Sequence, residues 1–271
     1  MSLPRSISTM AAATVAAFVC VMALTSGAAQ AQTIEYVALG DSYASGVGTR
    51  SYIDDGSGCS RSNAAYPALI ADEIGADLTF AACSGATTGD LLAGQLGGLS
   101  DGTDLVTVTI GGNDTGWAGV VQKCAYPYPW TCTAEIAAAE RFVREQLPAK
   151  LHAVYDAIAT AAPNAEVVVL GYPRLFNGEQ CNAITRISPA EQAALNDAAD
   201  LLGDTIGTVA GSHGFQYVDV RDAFEGHAVC DDVEWINGLS YPIIESYHPN
   251  AAGQRDGYYA LLNALVRSGS A

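Results

Sequence analysis

Positive charge is scarce in this chain. Its 271 residues hold 12 Lys and Arg against 29 Asp and Glu, a formal net charge of −17. Nucleic-acid binding relies on basic side chains neutralising phosphates, so this composition makes a poor nucleic-acid binder. It also works against electrostatic attraction to anionic lipid. Long apolar runs are scarce as well. Ala11 to Leu24 is an uncharged run of 14 residues, short of the about 20 that span a bilayer. No other stretch is long and apolar enough to cross a membrane. With Arg5 before it and the small residues Ala29-Gln30-Ala31 after it, the run reads as a secretory signal peptide over residues 1–31. Cys20 follows bulky Phe18 and Val19, which does not suit a lipoprotein processing site. Residues 32–271 then form one α/β domain. Losing Arg5 leaves 11 basic residues against 29 acidic, a net −18 that suits solubility outside the cell.

Metal-binding patterns are missing too. There is no Cys-x-x-Cys pair and no Cys/His cluster, so neither a metal nor a cofactor is expected. Beyond Cys20 the cysteines are Cys59, Cys83, Cys124, Cys132, Cys181 and Cys230. An even number in a secreted chain reads as three disulfides, although spacing alone does not choose among the pairings. The simplest pairing is sequential. Repeats, linkers and low-complexity segments are also lacking.

What is present is alternation. Short β-favouring apolar runs fall at 34–40, 78–83, 105–110, 166–170 and 215–220. Helical spacing covers 66–74, ending at Gly75, and 88–96, entered from Thr87-Thr88 as cap. A long helical stretch covers 133–161, where Pro148 should kink or split it. Another helix opens at Ser188-Pro189-Ala190-Glu191 and runs to about residue 210, and a last one covers 250–266. Residues 43–62 read as loop, as does the segment around Cys124 and Cys132. Strands alternating with helices predict a parallel sheet covered on both faces, with chemistry at the carboxyl ends of its strands.

The first strand runs into Gly40-Asp41-Ser42-Tyr43. A turn of this kind can lift the Ser42 hydroxyl clear of a buried strand end. Serine is a weak nucleophile and needs a base, and only four histidines are available. His152 lies on the long helix, His213 in a turn before a strand, and His227 near Cys230. His248 stands in Glu245-Ser246-Tyr247-His248-Pro249-Asn250, at a loop-to-helix junction suited to the active edge. Asp41 reads as a loop hydrogen-bonder rather than a partner for the base.

With Ala82-Cys83-Ser84-Gly85-Ala86 after the second strand and Gly111-Gly112-Asn113-Asp114 after the third, four blocks stand in order. Together they resemble the GDSL family of the SGNH hydrolase superfamily, in particular the secreted, disulfide-bonded lipases and esterases of streptomycetes and related actinobacteria. The resemblance implies a three-layer α/β/α, flavodoxin-like fold with five parallel strands, and it favours sequential disulfide pairing. It makes Ser42 the nucleophile and His248 the base, with Ser42, Gly85 and Asn113 donating N–H groups to an oxyanion hole. One departure stands out. The family usually places an Asp three residues before the histidine, and here that position is Glu245. Some secreted relatives use a main-chain carbonyl instead, which maps onto Ser246. Either group could orient His248, with the Ser246 carbonyl preferred.

The expected reaction is ester hydrolysis through an acyl-enzyme, on a small-molecule or lipid ester, by a secreted, extracellular monomer in transient contact with lipid surfaces. Fatty-acyl esters, including phospholipids, are the expected substrates. Tyr43, Trp117, Tyr126, Trp130 and Trp235 are candidates to line an acyl groove, and no long amphipathic lid helix is evident. The alternatives are a carbohydrate O-deacetylase on the same fold and a secreted binding protein with a dead site.

Overall fold

The computed structural model describes residues 1–2, 33–126, 130–181 and 187–269. All but the first two residues of the expected leader, Cys20 included, lie outside the described residues, as do Pro127, Tyr128 and Pro129. Within the unit Thr33–Ala271 five strands form: β1 Glu35–Gly40, β2 Asp77–Phe80, β3 Leu105–Thr109, β4 Glu166–Leu170 and β5 Gln216–Val218. They pair in parallel in the order β2-β1-β3-β4-β5. β3 is buried throughout and β1 is buried after Glu35, as a parallel sheet covered on both faces requires of its central strands. Two β3 threonines are inside with the apolar residues. Thr107 shares a hydrogen bond of 2.6 Å with the Tyr36 hydroxyl, and Thr109 one of 3.0 Å with that of Tyr66. Their burial therefore leaves no hydroxyl unsatisfied.

Eight α-helices accompany the strands among the described residues: α1 Ser42–Ser45, α2 Tyr66–Ile74, α3 Thr88–Gly94, α4 Trp117–Cys124, α5 Thr133–Glu145, α6 Leu147–Ala161, α7 Pro189–Ser212 and α8 Ala260–Gly269. α5, α6 and α7 pack on one another with α3 against α6, while α2 packs with the C-terminal helical segment. These two groups complete the α/β/α layering expected from the sequence. Thr87 and Ser188 each cap a helix with a full capping box. Pro148 falls in the first turn of α6, and the long helical stretch breaks at Gln146.

The chain leaves β1 for β2 on one side of it and later returns to β3 on the other. Strand order reverses there, so a crevice opens beyond the carboxyl ends of β1 and β3. Gly40 is in register with Thr109, which sets the residues after β1 beside those after β3.

The structure departs from the sequence reading in three places. Residues 43–62, read as loop, begin with the single turn α1, capped by Asp41 and stopped at Gly46 with φ +92°. α4 occupies part of the expected Cys124–Cys132 loop; it is short, and Gly119 interrupts its helical pattern. The last helix passes through a π-helical segment, Gly253–Tyr259, before α8. Two glycines let this segment press bare backbone against its neighbours. A Cβ on Gly253 would lie 2.5 Å from the Trp235 carbonyl oxygen, and one on Gly257 would lie 2.3 Å from the Phe224 ring.

Gly257→Ala tests that packing. In an open helix the change stabilises by about 1 kcal/mol. Here the clash with buried Phe224 should reverse the sign and cost about 1–3 kcal/mol, read as a lower urea midpoint. A raised midpoint would contradict the contact.

Candidate active site

β1 ends in a glycine because nothing larger fits. Gly40 has φ +134°, and a Cβ there would lie 2.4 Å from the Thr109 carbonyl oxygen. Beyond Phe80 the regular β1–β2 register ends; the Cys83 N–H still donates to the Gly40 carbonyl at 3.0 Å, and the Gln95 side chain joins it. Its Nε2 donates to the Gly40 carbonyl at 2.9 Å, and its Oε1 accepts from the Gly40 N–H at 2.7 Å. The strand end is thus held on both sides where Ser42 emerges. Asp41 caps α1 by accepting the Tyr43 N–H at 2.9 Å, leaving Ser42 as the first residue of the turn.

His248 reaches Ser42 from 206 residues downstream. Its Nε2 lies 2.8 Å from Ser42 Oγ, and its Nδ1 lies 2.9 Å from the Ser246 carbonyl oxygen. A carbonyl only accepts, so Nδ1 carries the proton and Nε2 presents its lone pair to the serine hydroxyl. The histidine loop is fixed against the Ser42 loop by several contacts. Gly48 is one of them: a Cβ there would lie 2.6 Å from the Pro249 carbonyl oxygen and 3.0 Å from His248 Cβ. Asn237 Nδ2 donates to the Gly48 carbonyl at 2.9 Å, and the Tyr43 hydroxyl donates to the Tyr247 carbonyl at 2.8 Å.

Glu245 takes a different course. It is buried, and its two carboxylate oxygens accept from Arg50 Nε and the Tyr52 hydroxyl, each at 2.9 Å. The imidazole N–H thus meets the Ser246 carbonyl, while Glu245 ties the histidine loop to the segment after α1.

Ser42, Gly85, Asn113 and His248 all line one cleft of about 500 Å³. Gly85 has φ +81°, which favours glycine, and it follows Cys83, bonded to Cys59. Asn113 Nδ2 spends one hydrogen on the Ala86 carbonyl at 3.0 Å; an amide nitrogen carries a second. The next residue, Asp114, accepts from the Thr88 N–H at 2.8 Å and the Thr88 hydroxyl at 2.6 Å, anchoring this turn to α3. The other disulfides join Cys124 to Cys132 and Cys181 to Cys230.

A buried chain of hydrogen bonds connects the turns from below. The Tyr172 hydroxyl donates to Asp41 Oδ2 at 2.5 Å and accepts the Gly112 N–H at 3.1 Å. Asp41 therefore braces Ser42 against the Asn113 turn and has no contact role with the histidine. Tyr172 was not singled out by sequence reasoning, although Gly171-Tyr172-Pro173 follows the fourth strand and so stands at the active edge. Burial raises the Asp41 carboxyl to about 7, with the Tyr172 and Tyr43 hydrogen bonds opposing the shift. Desolvation lowers His248 to about 4, opposed by its bond to the Ser246 carbonyl and by the charge of Glu245.

The aromatic expectations divide. Tyr43 and Trp117 line the cleft. Tyr126 and Trp130 do not; both are exposed, with the Lys123 ammonium 5.5 and 5.1 Å from their ring centroids. Trp235 is also elsewhere, stacked on His227 at 3.8 Å and set edge-on to Phe224. Aliphatic side chains complete the lining, among them Leu175, Leu202, Leu239 and Ile243. The other histidines stay apart from Ser42. His152 Nδ1 lies 2.9 Å from His213 Nε2, and His227 Nδ1 lies 2.8 Å from the Val233 carbonyl oxygen.

A serine hydroxyl against an imidazole, at the switch point of a parallel sheet and beside backbone and side-chain N–H groups, defines a serine-hydrolase type of site. Residues 38–255 match the GDSL-like lipase/acylhydrolase family, and the chain belongs to it. It is 46% identical over 237 residues to a lipase of Streptomyces rimosus, covering 87% of this chain and 88% of that one. Among solved structures it is similar to an extracellular lipase of Streptomyces rimosus, with TM-score 0.82, 45% identity and coverage of 86% of this chain and 99% of that one. Phospholipase A1 of Streptomyces albidoflavus is similar to the same extent, with TM-score 0.82, 43% identity and the same coverage.

The raised Asp41 pKa has a consequence for stability. The folded carboxyl holds its proton between its ordinary value near 4 and about 7, where the unfolded carboxyl has lost it. Stability supplied by this group is complete below 4, falls as pH rises to 7 and stays lost above. Asp41→Asn cannot titrate. Relative to the wild type, the variant should gain stability from pH 4 to pH 7 by on the order of 4 kcal/mol at most. Paired urea titrations across that range check this, and parallel curves would contradict it.

Proposed function

We propose that Ser42 is the nucleophile of this carboxylic ester hydrolase and that His248 is its base. The observation that carries the reading is the 2.8 Å contact of His248 Nε2 with Ser42 Oγ, made while Nδ1 is held by a carbonyl that fixes the tautomer. Ser42 Oγ attacks the ester carbonyl carbon as its proton passes to His248 Nε2. The tetrahedral intermediate collapses, the proton passes from His248 to the departing alkoxide, and the acyl group remains on Ser42. Water then gives a proton to His248 and attacks the acyl carbon; the acyl–Oγ bond breaks to release the acid, and His248 returns that proton to Ser42 Oγ.

Negative charge on the former carbonyl oxygen is met by the Ser42 and Gly85 backbone N–H groups and by Asn113 Nδ2. Such donors cost no reorganisation because the fold already holds them, and removing one typically costs about 10²–10³ in rate. The Ser246 carbonyl orients the imidazole. Being neutral, it stabilises the imidazolium less than a carboxylate would, and the buried charge of Glu245 adds at a distance.

The substrates are fatty-acyl esters. The cleft lining of Leu175, Leu202, Leu239 and Ile243 supports an acyl chain in that space, and the streptomycete relatives, a lipase and a phospholipase A1, point the same way. Residues 1–31 direct the chain out of the cell, where three disulfides persist, and residues 32–271 act as one catalytic domain. A p-nitrophenyl ester series, acetate to palmitate, should show turnover rising beyond acetate. Acetate-only turnover would favour a deacetylase instead.

Ser42→Ala should lose turnover by several orders of magnitude with folding intact, and Asn113→Ala about 10²–10³ in kcat. Glu245→Gln should lower kcat less than about tenfold while lowering thermal stability, since it weakens the Arg50 contact rather than the imidazole bond. A loss of several orders in that variant would transfer the orienting role to Glu245. The acid limb of kcat/KM should fall near pH 4, because neutral His248 is the active form and its folded pKa is depressed. A limb at 6.5 or above would count against a desolvated base.

A further inference from the structure

The segment from Gly238 to Ile244 carries no charged residue. Its tip turns apolar side chains to solvent: Tyr241 is 93% exposed, Ile243 68% and Ile244 49%. Exposing contiguous apolar groups is unfavourable, and such patches on a monomeric protein mark contact sites. This one is continuous with the cleft, since Leu239, Ile243 and Ile244 also line it. The loop is anchored from behind by the buried Glu245 with Arg50 and Tyr52. The Ser240 N–H donates to Ser246 Oγ at 2.9 Å, and Asn237 Nδ2 reaches the Glu245 carbonyl at 3.3 Å. The tip is thus held out by the same loop that carries His248.

We propose that the Tyr241–Ile244 tip is a docking element that seats the cleft mouth on the surface of aggregated, electrically neutral ester lipid. A net charge of −17 opposes anionic surfaces, leaving apolar insertion as the attraction. A tyrosine suits the headgroup boundary, with its ring toward the acyl region and its hydroxyl toward water. The same charge opposes a second copy of the chain as occupant, because seating one there would bring two acidic molecules together over the cleft. The role explains the departure at position 245. Glu245 is the buried post of the loop and a positioning residue for its tip. The inference deepens the ester-hydrolase reading and rests on it only for the direction in which the cleft faces.

The test separates binding from chemistry. Ser42→Ala protein, which leaves lipid intact, is mixed with phosphatidylcholine vesicles and floated on a density gradient. It should bind, and adding Tyr241→Asp should lower the bound fraction at limiting lipid about tenfold. With Ser42 intact, Tyr241→Asp should keep turnover of dissolved p-nitrophenyl butyrate within about twofold and lose about tenfold on vesicle phosphatidylcholine. Phosphatidylglycerol vesicles at low salt should bind less than phosphatidylcholine. Equal flotation with and without Tyr241→Asp would overturn the proposal. So would preferential binding to phosphatidylglycerol, or a dimer in sedimentation that Tyr241→Asp dissolves. Failure of the hydrolase reading looks different: the wild type floats with phosphatidylcholine and hydrolyses neither ester.

Discussion

The arrangement of the site depends on one hydrogen bond between two distant parts of the chain, His248 Nε2 with Ser42 Oγ at 2.8 Å. Each end is held at its backbone. Ser42 follows a glycine that no larger residue could replace beside the Thr109 carbonyl, and that glycine is clamped by the Gln95 amide. His248 is held at Nδ1 by a carbonyl two residues away, so its tautomer is set within its own loop. Gly48 then lets the two loops meet at main-chain distance. Such preorganisation suits the proposed role of Ser42, because little ordering would be left to be done at the moment of reaction.

Acidic groups beside the site serve position rather than proton transfer. Asp41 lies next to Ser42 in sequence, yet it ties the serine turn through Tyr172 to Gly112. Asp114, next to Asn113, secures its turn to α3. Glu245 is bound by Arg50 and Tyr52 and fixes the loop that carries His248. A carboxylate that hydrogen-bonds the imidazole would stabilise its charged form strongly. Replacing it with a carbonyl, in a partly dry cleft, leaves a histidine that stays neutral well into acid.

Much of the fold was legible because it rests on local physics. Buried parallel strands read as apolar runs, Ser188 and Thr87 announced their helices, and Pro148 marked the break between α5 and α6. The four blocks were legible through their resemblance to the GDSL family, and their place after strand ends agreed with an alternating α/β chain. What escaped depended on distant contacts. α1 and α4 are too short for periodicity to declare them. The π-helical segment depends on Phe224 lying against Gly257. Tyr172 looks like any turn tyrosine until Asp41 and Gly112 meet its hydroxyl. The groove was assigned to aromatics by type, whereas aliphatic residues of α4, α7 and the histidine loop share its lining with Tyr43 and Trp117. Trp235 was claimed by His227 and Phe224, and no local pattern tells a packed tryptophan from one facing a ligand.

The state of His248 is the most direct measure of this arrangement. Nitrogen-15 NMR of the imidazole, followed from pH 8 to pH 3, reports which ring nitrogen carries the proton and where the ring charges. The expected result is a neutral ring protonated at Nδ1 through the neutral range, with charging only near pH 4. A ring protonated at Nε2, or one that charges at pH 6.5 or above, would contradict a desolvated base oriented by the Ser246 carbonyl.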